Sequence, residues 1–137
     1  NPYLHPIYTV GMGCERHCPR SELQQLLETC LDQQGLTLQQ INCISSIDIK
    51  SDEQGLIELA EHLGLPFITW GANTLRNVED QLSTHSDYIF NTVGVYGVAE
   101  SAALYTAQEQ TQHRAELVMN KQKTAKATCA IARSYHP

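Results

Sequence analysis

The stretch IYTVGMGCERHCPRS, residues 7–21, decides the fold class. Residues 7–13 form a run of β-branched and aromatic residues that leads into two glycines, the composition of a strand entering a tight turn. Pro19-Arg20-Ser21 then opens a helix, with Ser21 and Gln24 at capping-box spacing. Leu23, Leu26, Leu27, Cys30 and Leu31 follow three and four apart, one apolar stripe, and Gly35 ends it.

The same alternation continues outward. Thr37 and Gln40 can cap a single short turn, and residues 41–49 read as the second strand. Ser51 and Gln54 repeat the capping-box spacing ahead of Leu56, Leu59, Ala60 and Leu63, a stripe stopped by Gly64. Residues 66–70 read as a short third strand, and Asn73 can cap a helix over roughly 74–82. Residues 88–93 are strand-like, 94–97 are a loop, and 98–108 are an alanine-rich helix. Residues 116–119 and 127–132 read as two last strands, joined through polar residues 120–126 by a hairpin or a short crossing connection. Alternating strands and helices imply a largely parallel sheet covered on both faces, and the tail makes it mixed. The expected fold is one three-layer α/β/α domain spanning residues 1–137.

Bulk properties narrow the function. The 137 residues suffice for one domain with a real core. The net charge of −6 argues against a nucleic-acid or acidic-membrane partner. No apolar run approaches the roughly 20 residues that span a bilayer. The chain opens Asn1-Pro2-Tyr3, without initiator Met, basic segment or apolar signal core, and is expected to be cut from a longer chain. Its five cysteines are odd in number and form no disulfide framework, so buried free thiols in a reducing cytoplasm are expected.

Four segments could carry chemistry. Gly11, Gly13, Cys14 and Arg16 follow the first strand, where glycine lets a ligand approach the backbone and the next helix start attracts anions. Arg16 stands where a dinucleotide fingerprint needs a third glycine, and a tight turn with no ligand is the plainer alternative. Asp48 and Lys50 fall on one face of the second strand's end, with Glu53 beyond, where open α/β sheets place ligands. A terminal salt bridge would explain them equally well. Gly94 and Gly97 open a small-residue helix in which Glu100 lies early, a position the helix dipole also favours without any ligand. Lys121, Lys123 and Lys126, followed by Thr128, are either a solvated connection or part of a basic basin. Seven of the nine basic residues lie in or beside these segments: Arg16, Arg20, Lys50, Lys121, Lys123, Lys126 and Arg133. Residues 51–116 hold ten acids against Arg76 and Arg114 alone. If the segments converge, an acidic protein carries a local basic basin suited to a polycarboxylate. Cys14, His17 and Cys18 form one cluster where a closed zinc site usually has two, so no metal site is assigned.

Taken in order, GMGCERHC, SSIDIKSDEQGL, GVYGVAESAAL and KQKTAKATCAIAR resemble the C-terminal domain family of the cobalamin-biosynthesis protein CbiG, which also contains CobE. The resemblance runs from about Val10 to Arg133, with His17-Cys18 where that family often has small or polar residues. It implies a single α/β/α domain that serves corrin-ring construction. In full-length CbiG proteins it implies hydrolysis of a cobalt-precorrin lactone on ring A, with loss of acetaldehyde. The alternative it implies is a non-catalytic precorrin-binding or carrier domain, accessory to or fused with a precorrin methyltransferase. The expected ligand is a precorrin or cobalt-precorrin, with other corrin-pathway enzymes as partners. No cofactor is expected, since any cobalt belongs to the substrate. Asp48, Glu53 or Glu100 would be the base, and Lys50 or Lys121 would polarise the lactone carbonyl. The remaining glycines, Cys14, Arg16, Lys123 and Thr128 would bind substrate.

Overall fold

The computed structural model describes residues 5–136. Strand β1 (His5–Cys14) leads to α1 (Arg20–Gln34), β2 (Ile41–Ile47), α2 (Gln54–Leu63) and β3 (Phe67–Trp70). Two short helices, α3 (Ala72–Leu75) and α4 (Asp87–Val93), flank a 3₁₀ segment at Arg76–Gln81. Helix α5 (Val98–Thr111) then returns the chain to the hairpin of β4 (Glu116–Lys123) and β5 (Ala127–His136). The sheet order is β3-β2-β1-β5-β4. β1, β2 and β3 are parallel, and β5 runs antiparallel to both β1 and β4. The expected mixed sheet in an α/β domain is present.

Alternation along β1 builds two different faces. Val10 and Met12 point into a large core with Leu23, Leu27, Ile44, Leu56, Leu59 and Ile131, under α1 and α2. Thr9, Gly11 and Gly13 point the other way, beneath α5, whose facing residues are Ala99, Ala102, Ala103 and Ala107. That face has almost no side-chain volume, so helix and strand meet backbone to backbone. A Cβ on Gly11 would overlap the Ala99 carbonyl oxygen and lie 2.7 Å from the Ala103 nitrogen. The Thr9 hydroxyl donates to the Ala103 carbonyl at 2.6 Å, fixing the same approach one pleat away. Gly55 plays the matching part for α2, since a Cβ there would overlap the Cys18 carbonyl oxygen.

Several local expectations are corrected. Residues 88–93 are helix α4, not a strand. Its β-prone residues are overruled by its ends: the Ser86 hydroxyl accepts from the Ile89 N–H at 3.2 Å, and Gly94 closes it at φ 86°. The second strand stops at Ile47, where its pairing with Trp70 ends, so Asp48–Lys50 is a 3₁₀ turn. Asp48 and Lys50 therefore do not share a strand face. Neither Ser21 nor Ser51 caps a helix: α1 starts from Pro19 and α2 from Glu53, without side-chain caps. Asn73 lies inside α3, which starts from Gly71 and passes into the 3₁₀ segment after one turn. The last strands are longer than expected and meet in a tight hairpin. The Thr37–Gln40 capping box does form.

The tight face gives the first prediction. Gly11→Ala should destabilise the fold by about 2–3 kcal/mol, because backbone rather than a flexible side chain must give way. Gly13→Ala, whose Cβ would meet Thr128 Oγ1 at 3.0 Å, should cost clearly less. Urea unfolding of both variants measures the difference, and equal stability would show that α5 is free to slide.

Candidate functional site

The sheet topology reverses beside β1, because β1 and β2 connect in one direction while α5 carries the chain to the other edge. Such a switch point leaves a crevice at the carboxyl ends of the parallel strands. Here the crevice is a cavity of about 500 Å³. Its floor is Gly13 and Cys14 of β1 and Ile47 of β2, and one side is the start of α5 at Gly97, Val98 and Ala99. The β4–β5 hairpin supplies Lys121, Lys123, Lys126 and Thr128, and α4 supplies Tyr88, Ile89, Thr92 and Val93. Strand register explains the hairpin's place: Gly13 pairs with Thr128, and Thr128 pairs with Lys123, in one row across three strands.

Of the residues proposed from sequence, Gly13, Cys14, Lys50, Gly97, Lys121, Lys123 and Thr128 line this single cavity. Motifs far apart in the chain thus converge. The charge map converges only in part. Lys50, Lys121, Lys123 and Lys126 all reach the cavity, but the three arginines are used elsewhere. Arg16 bonds Asp52 at 2.8 Å and the Ile49 carbonyl at 2.9 Å, Arg20 bonds Gln24, and Arg133 bonds Glu116. Lys50 lies 3.9 Å from Glu53, whereas among the described residues Lys121, Lys123 and Lys126 pair with no carboxylate.

The remaining candidates do not line the cavity. Gly11 is sealed under α5, Gly94 ends α4 with its carbonyl accepting from Arg76 Nε at 2.8 Å, and Asp48 points to solvent. Glu53 and Glu100 are each 2% exposed and already engaged. Glu53 accepts from the His17 N–H at 3.1 Å and from Arg16 at 3.4 Å. His17 itself sits at φ 66°, held there by that bond. Glu100 accepts from the N–H groups of Ser83 and Lys121, both at 2.9 Å, and from the Ser83 hydroxyl. These two carboxylates brace the surroundings of the cavity from behind and do not line it.

Sequence reading missed a third brace. Glu22, at the start of α1, accepts from the Thr124 hydroxyl and from the Lys126 N–H at 2.9 Å, tying the hairpin turn to the helix. Nothing in the sequence marks a contact across 104 positions. It also missed the α4 wall, although Ser86 and Gly94 carried the cap signal. The Cys14 thiol in the floor is pushed up to about 12, first by burial and then by Glu53, which favours the neutral thiol. Cys30, Cys43 and Cys129 are buried free thiols, as expected. Among the described residues no three His, Cys, Asp or Glu gather to hold a metal ion, and no helix is long and apolar enough to cross a membrane.

Comparison with known proteins places the chain. Residues 8–132 match the family model for the cobalamin synthesis G C-terminus. The chain is 32% identical to protein CobE of a Sinorhizobium species over 123 residues, covering 90% of this chain and 77% of that protein. It is 30% identical to the cobalt-precorrin-5A hydrolase of Priestia megaterium over 130 residues, covering 95% of this chain but 33% of the hydrolase. Its fold superimposes on the crystal structure of CobE, a protein from the cobalamin biosynthetic pathway, with a TM-score of 0.90. That match is 33% identical and covers 94% of each chain.

Two predictions test the braces. Glu100→Ala should cost about 2–3 kcal/mol, since it removes the buried acceptor of the Ser83 and Lys121 N–H groups and of the Ser83 hydroxyl, and Glu100→Gln should cost less. Guanidinium unfolding measures both. The Glu22 carboxyl is held below its ordinary value of 4.5 by the Thr124 hydroxyl and then the Lys126 N–H. A depressed carboxyl pKa stabilises above the unfolded value and loses that contribution as pH falls through the folded one. The protection of the amides across residues 124–127, taken against their intrinsic exchange rate at each pH, should therefore fall below about pH 4.5, and Glu22→Gln should remove that acid dependence.

Proposed function

The chain belongs to the cobalamin synthesis G C-terminus family, and we propose that it binds a precorrin or cobalt-precorrin in the cavity beside β1, as a carrier or positioning domain. Membership places it in cobalamin biosynthesis; the ligand and its use are our reading. The observation that carries it is the gathering of Lys50, Lys121, Lys123 and Lys126 on one cavity of an otherwise acidic protein. Precorrins carry acetate and propionate arms, and ammonium groups without internal partners are suited to meet them. The start of α5 adds N–H groups without intrahelical partners. The neutral Cys14 and small Gly13 let the ring approach the floor closely.

Hydrolysis remains the second reading, supported by the name cobalt-precorrin-5A hydrolase on relatives of which this chain spans about a third. Lactone hydrolysis needs a base that can reach water. The acids first proposed for it are braced behind the walls or turned to solvent, and the one carboxylate lining the cavity is Glu15. This distribution favours binding over autonomous catalysis. The domain is then a ring-holding unit that leaves chemistry to other groups, in the same or another polypeptide.

Titrating a corrinoid polycarboxylate into the protein tests this reading. Lys121→Met and Lys50→Met should each weaken binding roughly tenfold or more, the loss of one charge-assisted hydrogen bond of about 1.5–3 kcal/mol. Arg114→Met, at an exposed site outside the cavity, should change little. Arg76 is no such control, because it props α4 through Gly94 and the Phe90 ring, 5.5 Å away. Added salt should weaken binding of the unmodified protein. Incubation with the ring A lactone intermediate should release no acetaldehyde. Release by this chain alone would establish the hydrolase reading, and equal affinities for the Lys121 and Arg114 variants would remove the basic basin from ligand binding.

A further inference from the structure

The cavity has two walls of opposite chemistry. The hairpin side is cationic, with three lysines, while α4 carries no basic residue and one acid, Asp87, at its start. Tyr88, Ile89, Thr92 and Val93, spaced one and four apart, form the α4 face that lines the cavity. The opposite face anchors the helix: Phe90 stacks on Tyr96 at 4.5 Å and lies under the Arg76 guanidinium. Ser86 N–H also donates to the Tyr96 carbonyl at 3.2 Å. α4 is therefore pinned from behind and presents its front unpartnered. Tyr88 on that front is 76% exposed, and among the described residues only Ile49 is another large exposed hydrophobic. Ile47, Val93 and Val98 continue the apolar surface between the walls.

A small polycarboxylate would use the lysine wall alone and leave the apolar wall in water. A macrocycle with an apolar face and an anionic rim would cover both. We propose that Tyr88 is the specificity-determining residue of this site, packing its ring on the face of the tetrapyrrole while the rim carboxylates engage the lysines opposite. This rests on the tetrapyrrole reading above and names the contact that separates a ring from other polyanions. Aromatic rings favour offset stacking or edge contacts on flat π-surfaces, and the contact belongs to the ring rather than the hydroxyl.

The test compares cobyrinic acid, a corrinoid with free carboxylates, with citrate, a small tricarboxylate, by calorimetric titration. Tyr88→Ala should weaken cobyrinic acid binding about tenfold and leave citrate unchanged. Tyr88→Phe and Tyr88→Trp should keep the affinity for the ring, and Lys121→Met should weaken both ligands. Thermal melts control for folding, and the exposure of Tyr88 makes its removal mild for the fold. Cobyrinic acid binding equally to unmodified protein and Tyr88→Ala overturns this inference and leaves the tetrapyrrole reading standing. No binding of cobyrinic acid to unmodified protein overturns both. Equal losses for citrate and cobyrinic acid in Tyr88→Ala overturn the specificity role, since Tyr88 would then act only by shaping the lysine wall.

Discussion

The backbone-to-backbone contact of α5 on β1 is the constraint on which the site depends. Without a side chain at Gly11, and with the Thr9 hydroxyl bonded to the Ala103 carbonyl, the helix has one depth and one register on the sheet. That fixes the first turn of α5 beside Gly13, at the mouth of the switch point. It also fixes Glu100, which reaches from this turn to Ser83 in the loop before α4 and to Lys121 on the hairpin. Dispersion gained along such a seam is individually small for alanines, but close packing makes the seam stiff. Gly11 thus shapes a cavity it does not line.

A second design rule concerns charge. Each of three segments around the cavity is held by a carboxylate that accepts a backbone N–H: Glu53 on the β1–α1 loop, Glu100 on β4, Glu22 on the hairpin turn. Because these acids are engaged by backbone N–H groups and by other side chains, most of the lysines that line the cavity are left without a carboxylate partner among the described residues. Side-chain salt bridges would have held the loops as well but would have neutralised the cations. The exception is Lys50, whose neighbour Glu53 lies at the far limit of an ion pair.

The layers and the mixed sheet were legible because apolar periodicity and glycine stops are local signals. The convergence of Gly13 and Lys50 was legible because carboxyl ends of parallel strands share one edge, whereas Gly97 follows helix α4 and Lys121 and Lys123 lie on antiparallel β4, so only the tertiary arrangement brings them there. Side-chain direction was not. Arg16 and Lys50 look equivalent in sequence, yet Arg16 finds Asp52 in a turn that only exists because β2 stops at Ile47. Glu100 looks like a candidate base until Ser83 and Lys121 arrive from elsewhere in the chain. The α4 error has a local cause: Tyr, Ile, Phe, Thr and Val favour strands, and here two cap residues overrule them.

Among the described residues β4 is also an outer strand of the sheet, with β5 on one side and no strand on the other. Such a strand offers unpaired backbone groups to any other chain, and lysine is among the residues that deter that pairing. Lys121 and Lys123 lie on β4, so residues that line the cavity also guard against sheet-to-sheet self-association. Recognition and colloidal behaviour are then coupled in one strand. Exchanging these lysines for apolar residues to suit an uncharged ring would make the molecule prone to aggregate, whereas changes on the α4 wall carry no such penalty. The lining of this cavity is freer to drift in sequence on α4 than on β4.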